Sequence, residues 1–282
     1  MVVASLPHAI GNFKVCNCTV AKVVGAVSIV FPGPDFRMLF DLPFRMPAHQ
    51  PVGDVDTSEK DIVSGILPTG IKFGPDGALY VADWINGWDT KNYGRVWKLD
   101  VTNDKNDLAA IRQETKRLIQ LNYPSQTEDM LYSLLSNADM RIRQKAQFEL
   151  VSRGSKGIPS LTKAIGQTQS QLARIHGIWG VGQLTRQDKT YASSLMPLLK
   201  DSDSEIIAQA AKMLGDARIV TAGNDLIPLL KNTNPRVRFY AAEALGRIAY
   251  ADAVTPLIEM IAANNDDDIY IRHAGVLALS RI

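Results

Sequence analysis

Few side chains in this sequence stand at spacings that chemistry requires. Cys16 and Cys18 form a C-x-C pair, but no histidine follows directly, so they do not make a C-x-x-C-H haem attachment site. A zinc site would need two further ligands, and His8 is the only histidine nearby. Two strand cysteines so placed default to plain packing residues. The histidines His8, His49, His176 and His273 are scattered, and the last two fall in different helical units, so no catalytic pair is expected. Asp83, Asn86 and Asp89 share one loop and offer oxygens to calcium. Calcium takes about six to eight such ligands, and a loop of this kind supplies about half of them. Trp84 and Trp88 beside Asp83 and Asn86 would give the loop a rim able to hold a sugar. The plainer alternative is that the two indoles cover a sheet edge. Asp266-Asp267-Asp268 is expected to be a solvated turn that also caps the helix after it. No catalytic, cofactor or metal residue is assigned, and the rim of Asp83, Trp84, Asn86 and Trp88 is the binding candidate.

A second set of residues recurs by period rather than by motif. Ala146, Gly177, Ala210, Ala241 and Gly275 form a column of small residues with steps of 31, 33, 31 and 34. Leu150, Val181, Leu214, Leu245 and Leu279 stand four positions later, and Arg143, Arg174, Ile207, Arg238 and Arg272 three positions earlier. A period of this size signals a solenoid, in which each unit buries its apolar face against its neighbours. The arginine ladder Arg143, Arg174, Arg238 and Arg272 is expected to be structural, each guanidinium meeting an aspartate or a turn carbonyl of an adjoining repeat. Ile207 interrupts it, which argues against a continuous basic groove. Lys+Arg 31 against Asp+Glu 29 leaves a net charge of only +2. Nucleic-acid binding needs a concentrated basic face, so no nucleic-acid partner is expected.

The elements that position these residues read in a fixed order. A first helix carries a short apolar block with proline, as in Ile158-Pro159-Ser160-Leu161 and Met196-Pro197-Leu198-Leu199. Proline is tolerated there because its missing N–H has no helical partner to lose. A polar turn such as Asp201-Ser202-Asp203-Ser204 supplies caps for the second helix, which carries the small-residue column. Gly182, Gly215 and Gly246 fall toward its end and are expected to ease its exit or its packing. Five such units fit between residues 123 and 282. This pattern resembles HEAT repeats, and its short period is similar to the phycobilisome-lyase HEAT-like subgroup.

The preceding region is of another kind. Ile71 to Phe73 reads as a strand, Gly74-Pro75-Asp76-Gly77 as a tight turn, Ala78 to Ala82 as a second strand and Gly94 to Leu99 as a third. Phe73-Gly74-Pro75-Asp76-Gly77-Ala78-Leu79-Tyr80-Val81-Ala82-Asp83-Trp84, with Asn86-Gly87-Trp88 and Gly94-Arg95-Val96 after it, resembles the closing blade of soluble glucose-dehydrogenase-like propellers. In particular it is similar to a bacterial membrane-bound dehydrogenase family that joins a quinoprotein propeller to HEAT repeats. Gly70 and Lys72 depart from that family, whose relatives commonly carry an acid after the Leu-Pro-Thr. The resemblance implies a mixed β and α fold, with partial β-propeller blades followed by an α-solenoid of HEAT-like helix pairs. The expected divisions are 1–102 for the blades (the last at about 67–100), 103–122 for a connecting helix or linker, and 123–282 for the repeats.

Length then limits what the chain can do. A propeller closes with about four to eight blades, and about 100 residues hold at most two. No complete active site is expected, and the sequence reads as an internal fragment of a longer protein or as a truncated open reading frame. The chain is accordingly expected to hold no cofactor of its own. Pyrroloquinoline quinone, calcium and haem c are implied only for a full-length relative, as is a periplasmic or exported setting. The most apolar stretch, Val20 to Phe31, is interrupted by Lys22 and too short for a bilayer span, which needs about 20 residues. The expected role is that of a scaffold for a protein partner or for the missing blades. A free-standing HEAT binding module is the main alternative, and a phycobilin-lyase-like enzyme a further one.

Overall fold

A four-residue turn sets the register of the N-terminal sheet. Gly74 N–H donates to Ala78 O at 2.8 Å and Gly77 N–H to Gly74 O at 3.1 Å. Gly77 takes φ 75°, a backbone conformation in which a side chain would be strained. The turn joins β2 (Pro68–Phe73) to β3 (Leu79–Asp83), which pairs in turn with β4 (Arg95–Asp100); both pairings are antiparallel. The computed structural model describes residues 17–19, 66–84, 94–100 and 106–282. Its two compact units are Met1–Gln120 and Leu121–Ile282.

In the first unit a short strand, β1 (Asn17–Thr19), adds to β4, giving the order β1-β4-β3-β2. β1 runs parallel to β4. β2, β3 and β4 are the sequential antiparallel strands expected there, and the parallel β1 departs from the order of a propeller blade. Here a three-stranded meander receives a parallel strand from far upstream, and no second blade stands among the described residues. Ile66, Leu79, Val81 and Leu99 form its core, with Ile71 and Trp97 packed against them. Helix α1 (Asn106–Ile119) belongs to the same unit. Its Arg112 donates from Nε to Asp76 O at 2.7 Å and from Nη2 to Asp100 Oδ1 at 2.8 Å, clamping the turn and the end of β4.

The second unit is built of helix pairs. Second helices α3 (Met140–Ser152), α5 (Gln171–Thr185), α6 (Ser204–Asp216), α8 (Pro235–Arg247) and α10 (Ile269–Leu279) touch in succession. Their partners are α2 (Glu128–Leu134), α4 (Ile158–Ile165), the 3₁₀ turns Lys189–Ser194 and Met196–Lys200, α7 (Gly223–Leu226) with the 3₁₀ turn Ile227–Lys231, and α9 (Val254–Asn264). Asp139, Ser170, Asp203, Asn234 and Asp268 each cap a second helix by accepting a backbone N–H.

The small-residue column faces the first helix of its own repeat. A Cβ on Gly177 would lie 2.7 Å from Leu161 O and 3.0 Å from Ile165 N. Gly182, Gly215 and Gly246 meet the following second helix instead, at Met213, Ala244 and Ala278. Packing is therefore their role, and the helix exits are made otherwise. Arg218 and Ala249 take the left-handed conformation, at φ 54° and 51°. Ile219 N–H bonds Leu214 O and Tyr250 N–H bonds Leu245 O, closing Schellman-type ends. Among the described residues no helix is long and apolar enough to cross a membrane.

Candidate functional site

Four successive second helices line one groove of about 400 Å³. Its floor follows from the repeat: residues that share a column on α3, α5, α6 and α8 stand side by side. Phe148, Trp179 and Lys212 each lie two positions after the small-residue column and reach the groove together. Met140 is 53% and Phe148 50% exposed, large apolar surfaces left open to solvent beside Trp179 and Tyr240.

A hydrogen-bonded strip fixes the polar part of this surface. His176 is 3% exposed, and its Nδ1 lies 2.7 Å from Gln147 Oε1. The carbonyl oxygen can only accept, so Nδ1 carries the hydrogen. Gln147 Nε2 then donates to Gln183 Oε1 at 3.3 Å. Trp179 Nε1 donates to Gln209 Oε1 at 2.7 Å, and Gln209 Nε2 to Glu205 Oε1 at 2.6 Å. Glu205 Oε2 holds Arg236 Nε at 2.8 Å, and that guanidinium stacks over Tyr240. The His176 and Trp179 rings meet edge to face at 5.0 Å. Burial, aided by the nearby Arg143 charge, lowers the His176 pKa to about 4, so the imidazole is neutral at pH 7. An aromatic and amide surface so arranged presents fixed donors, acceptors and apolar shelves, which suits recognition more than bond-making.

A larger hollow of about 580 Å³ lies between repeats four and five, near Leu230, Lys231 and Glu259. Lys231 and Glu259 pair at 3.0 Å there, and Arg238 is spent on backbone carbonyls. No aromatic side chain lines it. Size alone does not make it the better candidate.

The arginines of the repeat ladder bind turns. Arg143 Nη1 donates to Asn137 O and Ala138 O at 2.6 and 2.8 Å, and Arg238 Nη1 to Asn232 O and Thr233 O at 2.8 and 3.1 Å. Arg174 donates to Ile165 O and holds Asp201 of the next repeat at 2.5 Å. Arg272 pairs with Asp266 at 3.2 Å. Most of these contacts are to the turn between the two helices of the same repeat, and only Arg174 reaches the adjoining one.

Of the proposed rim, Asp83 and Trp84 lie among the described residues. Asp83 is 3% exposed: Oδ1 accepts Leu67 N–H and Oδ2 accepts Trp97 Nε1, both at 2.9 Å, with Arg95 Nε 3.1 Å away. A carboxylate ringed by N–H donors and a guanidinium is a structural tie between strands. It does not fit calcium, which needs converging oxygens. Trp84 is half-buried and its N–H bonds Leu67 O. Asn86, Trp88 and Asp89 lie outside the described residues, as do His8, His49 and Cys16. Among the described residues no group of three potential metal ligands stands together.

Residues 192–280 match the sequence model of HEAT repeats. This stretch is a HEAT-repeat solenoid. No curated protein matches the chain. Among solved structures, the complex of CpcE and CpcF of phycocyanin lyase from Nostoc is similar at 20% identity, over 54% of this chain and 96% of that one, with TM-score 0.47. Human deoxyhypusine hydroxylase is 18% identical over 55% of this chain and 61% of its own, with TM-score 0.38. A designed armadillo repeat protein is 14% identical over 64% and 95%, with TM-score 0.38.

Proposed function

We propose that the chain is a protein-binding scaffold and that the groove across α3, α5, α6 and α8 holds an extended polypeptide segment. The observation that carries this is the exposed Met140 and Phe148 beside a hydrogen-bonded amide and aromatic strip. Helices pack about 8–10 Å apart, so four of them present about 27 Å, the length of about eight extended residues. Amide side chains can pair with the backbone of such a segment while Phe148 and Trp179 support its side chains. The motif from Leu67 to Leu99 supports a setting for this scaffold. There it is the C-terminal region of a quinoprotein dehydrogenase-like protein, binding a partner or further blades and lacking catalysis of its own.

Selection of a random dodecapeptide library on the full chain tests the groove. Enriched peptides should lose at least about tenfold in affinity when Phe148→Glu places a charge on the apolar shelf. Enriched peptides that bind wild type and Phe148→Glu equally, with Trp179→Ala also neutral, would remove the groove from the account.

A further inference from the structure

The geometry points to an acidic partner: we infer that the bound segment carries a carboxylate side chain about three residues beyond an apolar or aromatic anchor. This rests on the groove being a polypeptide site and adds the chemistry of its occupant. Phe148, Trp179 and Lys212 occupy one column on three neighbouring helices. At about 10 Å per helix and about 3.3 Å per extended residue, a segment crossing them meets an apolar shelf, a second shelf and then a cation at intervals of about three residues. Arg186 lies seven residues after Trp179, at the C-terminal cap of α5, and lines the same groove.

Charge at that end is unevenly matched. Asp216 Oδ2 takes both Lys212 Nζ at 2.8 Å and Arg186 Nη2 at 3.2 Å, while Oδ1 takes Arg247 Nη1 at 3.2 Å. Glu243 adds one more carboxylate, at 2.7 Å, but to Arg247. Lys212 and Arg186 therefore share a single, largely buried carboxylate oxygen. The Arg186 side chain is 53% exposed and uses one of its nitrogens. Arg186, Lys212 and Arg236 line the groove and no acid does. Glu205, beside it, has both oxygens engaged by Gln209 and Arg236. A glutamate or aspartate from a partner would complete the set, whereas a lysine there would meet unbalanced cations.

The peptides selected on the full chain decide this. The expected consensus has an acid about three residues from an aromatic or aliphatic position. Exchanging that acid for its amide should weaken binding about tenfold, and raising salt from about 50 to about 300 mM should weaken the acidic peptide more than the amide one. Arg186→Gln with Lys212→Gln should erase the difference, with circular dichroism confirming the helices; the salt comparison on wild type needs no variant. Groove-dependent peptides with no acidic preference, or an amide peptide that binds as tightly, would overturn the inference and leave the groove itself standing. A library that yields no binder would overturn both.

Discussion

His176 and Asp83 show how much a single buried polar group can carry. Burial of the hydrogen-bonded pair His176 and Gln147 favours the neutral ring, and the histidine pKa falls from 6.5 to about 4. Because the folded pKa is the lower one, the unfolded chain binds more protons between these values. Stability is full above pH 6.5 and declines as pH falls toward 4, by up to about 3 kcal/mol from this site. Urea midpoints for wild type and His176→Gln should diverge at pH 7 and converge toward pH 4.5; parallel curves would contradict the assignment. For Asp83, Asp83→Ala would strand Leu67 N–H, Trp97 Nε1 and Arg95, at a cost of about 3 kcal/mol or more. Hydrogen exchange at β3 and β4 should accelerate throughout. Unchanged protection there would show that Asp83 is no tie.

At the scale of elements, the repeat was legible because solenoid packing forces the same residue type to the same place. The column at Ala146, Gly177, Ala210, Ala241 and Gly275 is buried in every second helix. Gly177→Leu should therefore be severely destabilising. Its two nearest neighbours are backbone atoms of α4 that cannot rotate away, which puts the cost at or beyond the usual overpacking figure of about 1–3 kcal/mol. A thermal midpoint near wild type would refute the contact. Helix exits were less legible, since glycine is the usual left-handed cap and here the glycines are packing contacts. Ala249→Gly should relieve about 1 kcal/mol at its φ of 51° and raise the midpoint by a few degrees. The groove itself was hidden for a related reason. The hydrogen bonds that join its helices link residues 29, 30 and 36 positions apart, so no local motif announces them. A signal did exist, in that Phe148 and Trp179 are the same column one repeat apart. Asp83 escaped similarly, its partners being 16 and 14 residues away.

For the whole molecule, the two units have different standing. The helical unit holds a long line of fully buried leucines and isoleucines, while among the described residues the sheet's core cluster is Ile66, Leu79, Val81 and Leu99. On the proposed reading the chain positions a partner and does no redox chemistry of its own, since such chemistry needs preorganised groups on rigid support. Purified chain supplied with pyrroloquinoline quinone, calcium and a panel of sugars and alcohols should reduce dye no faster than a heat-killed control. Turnover above that control would contradict the scaffold account. The central claim is where a polypeptide sits, and photo-crosslinking reads that directly. A benzophenone side chain placed at Gln144, which is exposed in the groove, should capture a selected peptide on irradiation. The same group at Glu259, on the first-helix side, should not. Capture at Glu259 with none at Gln144 would place the partner elsewhere and contradict the account.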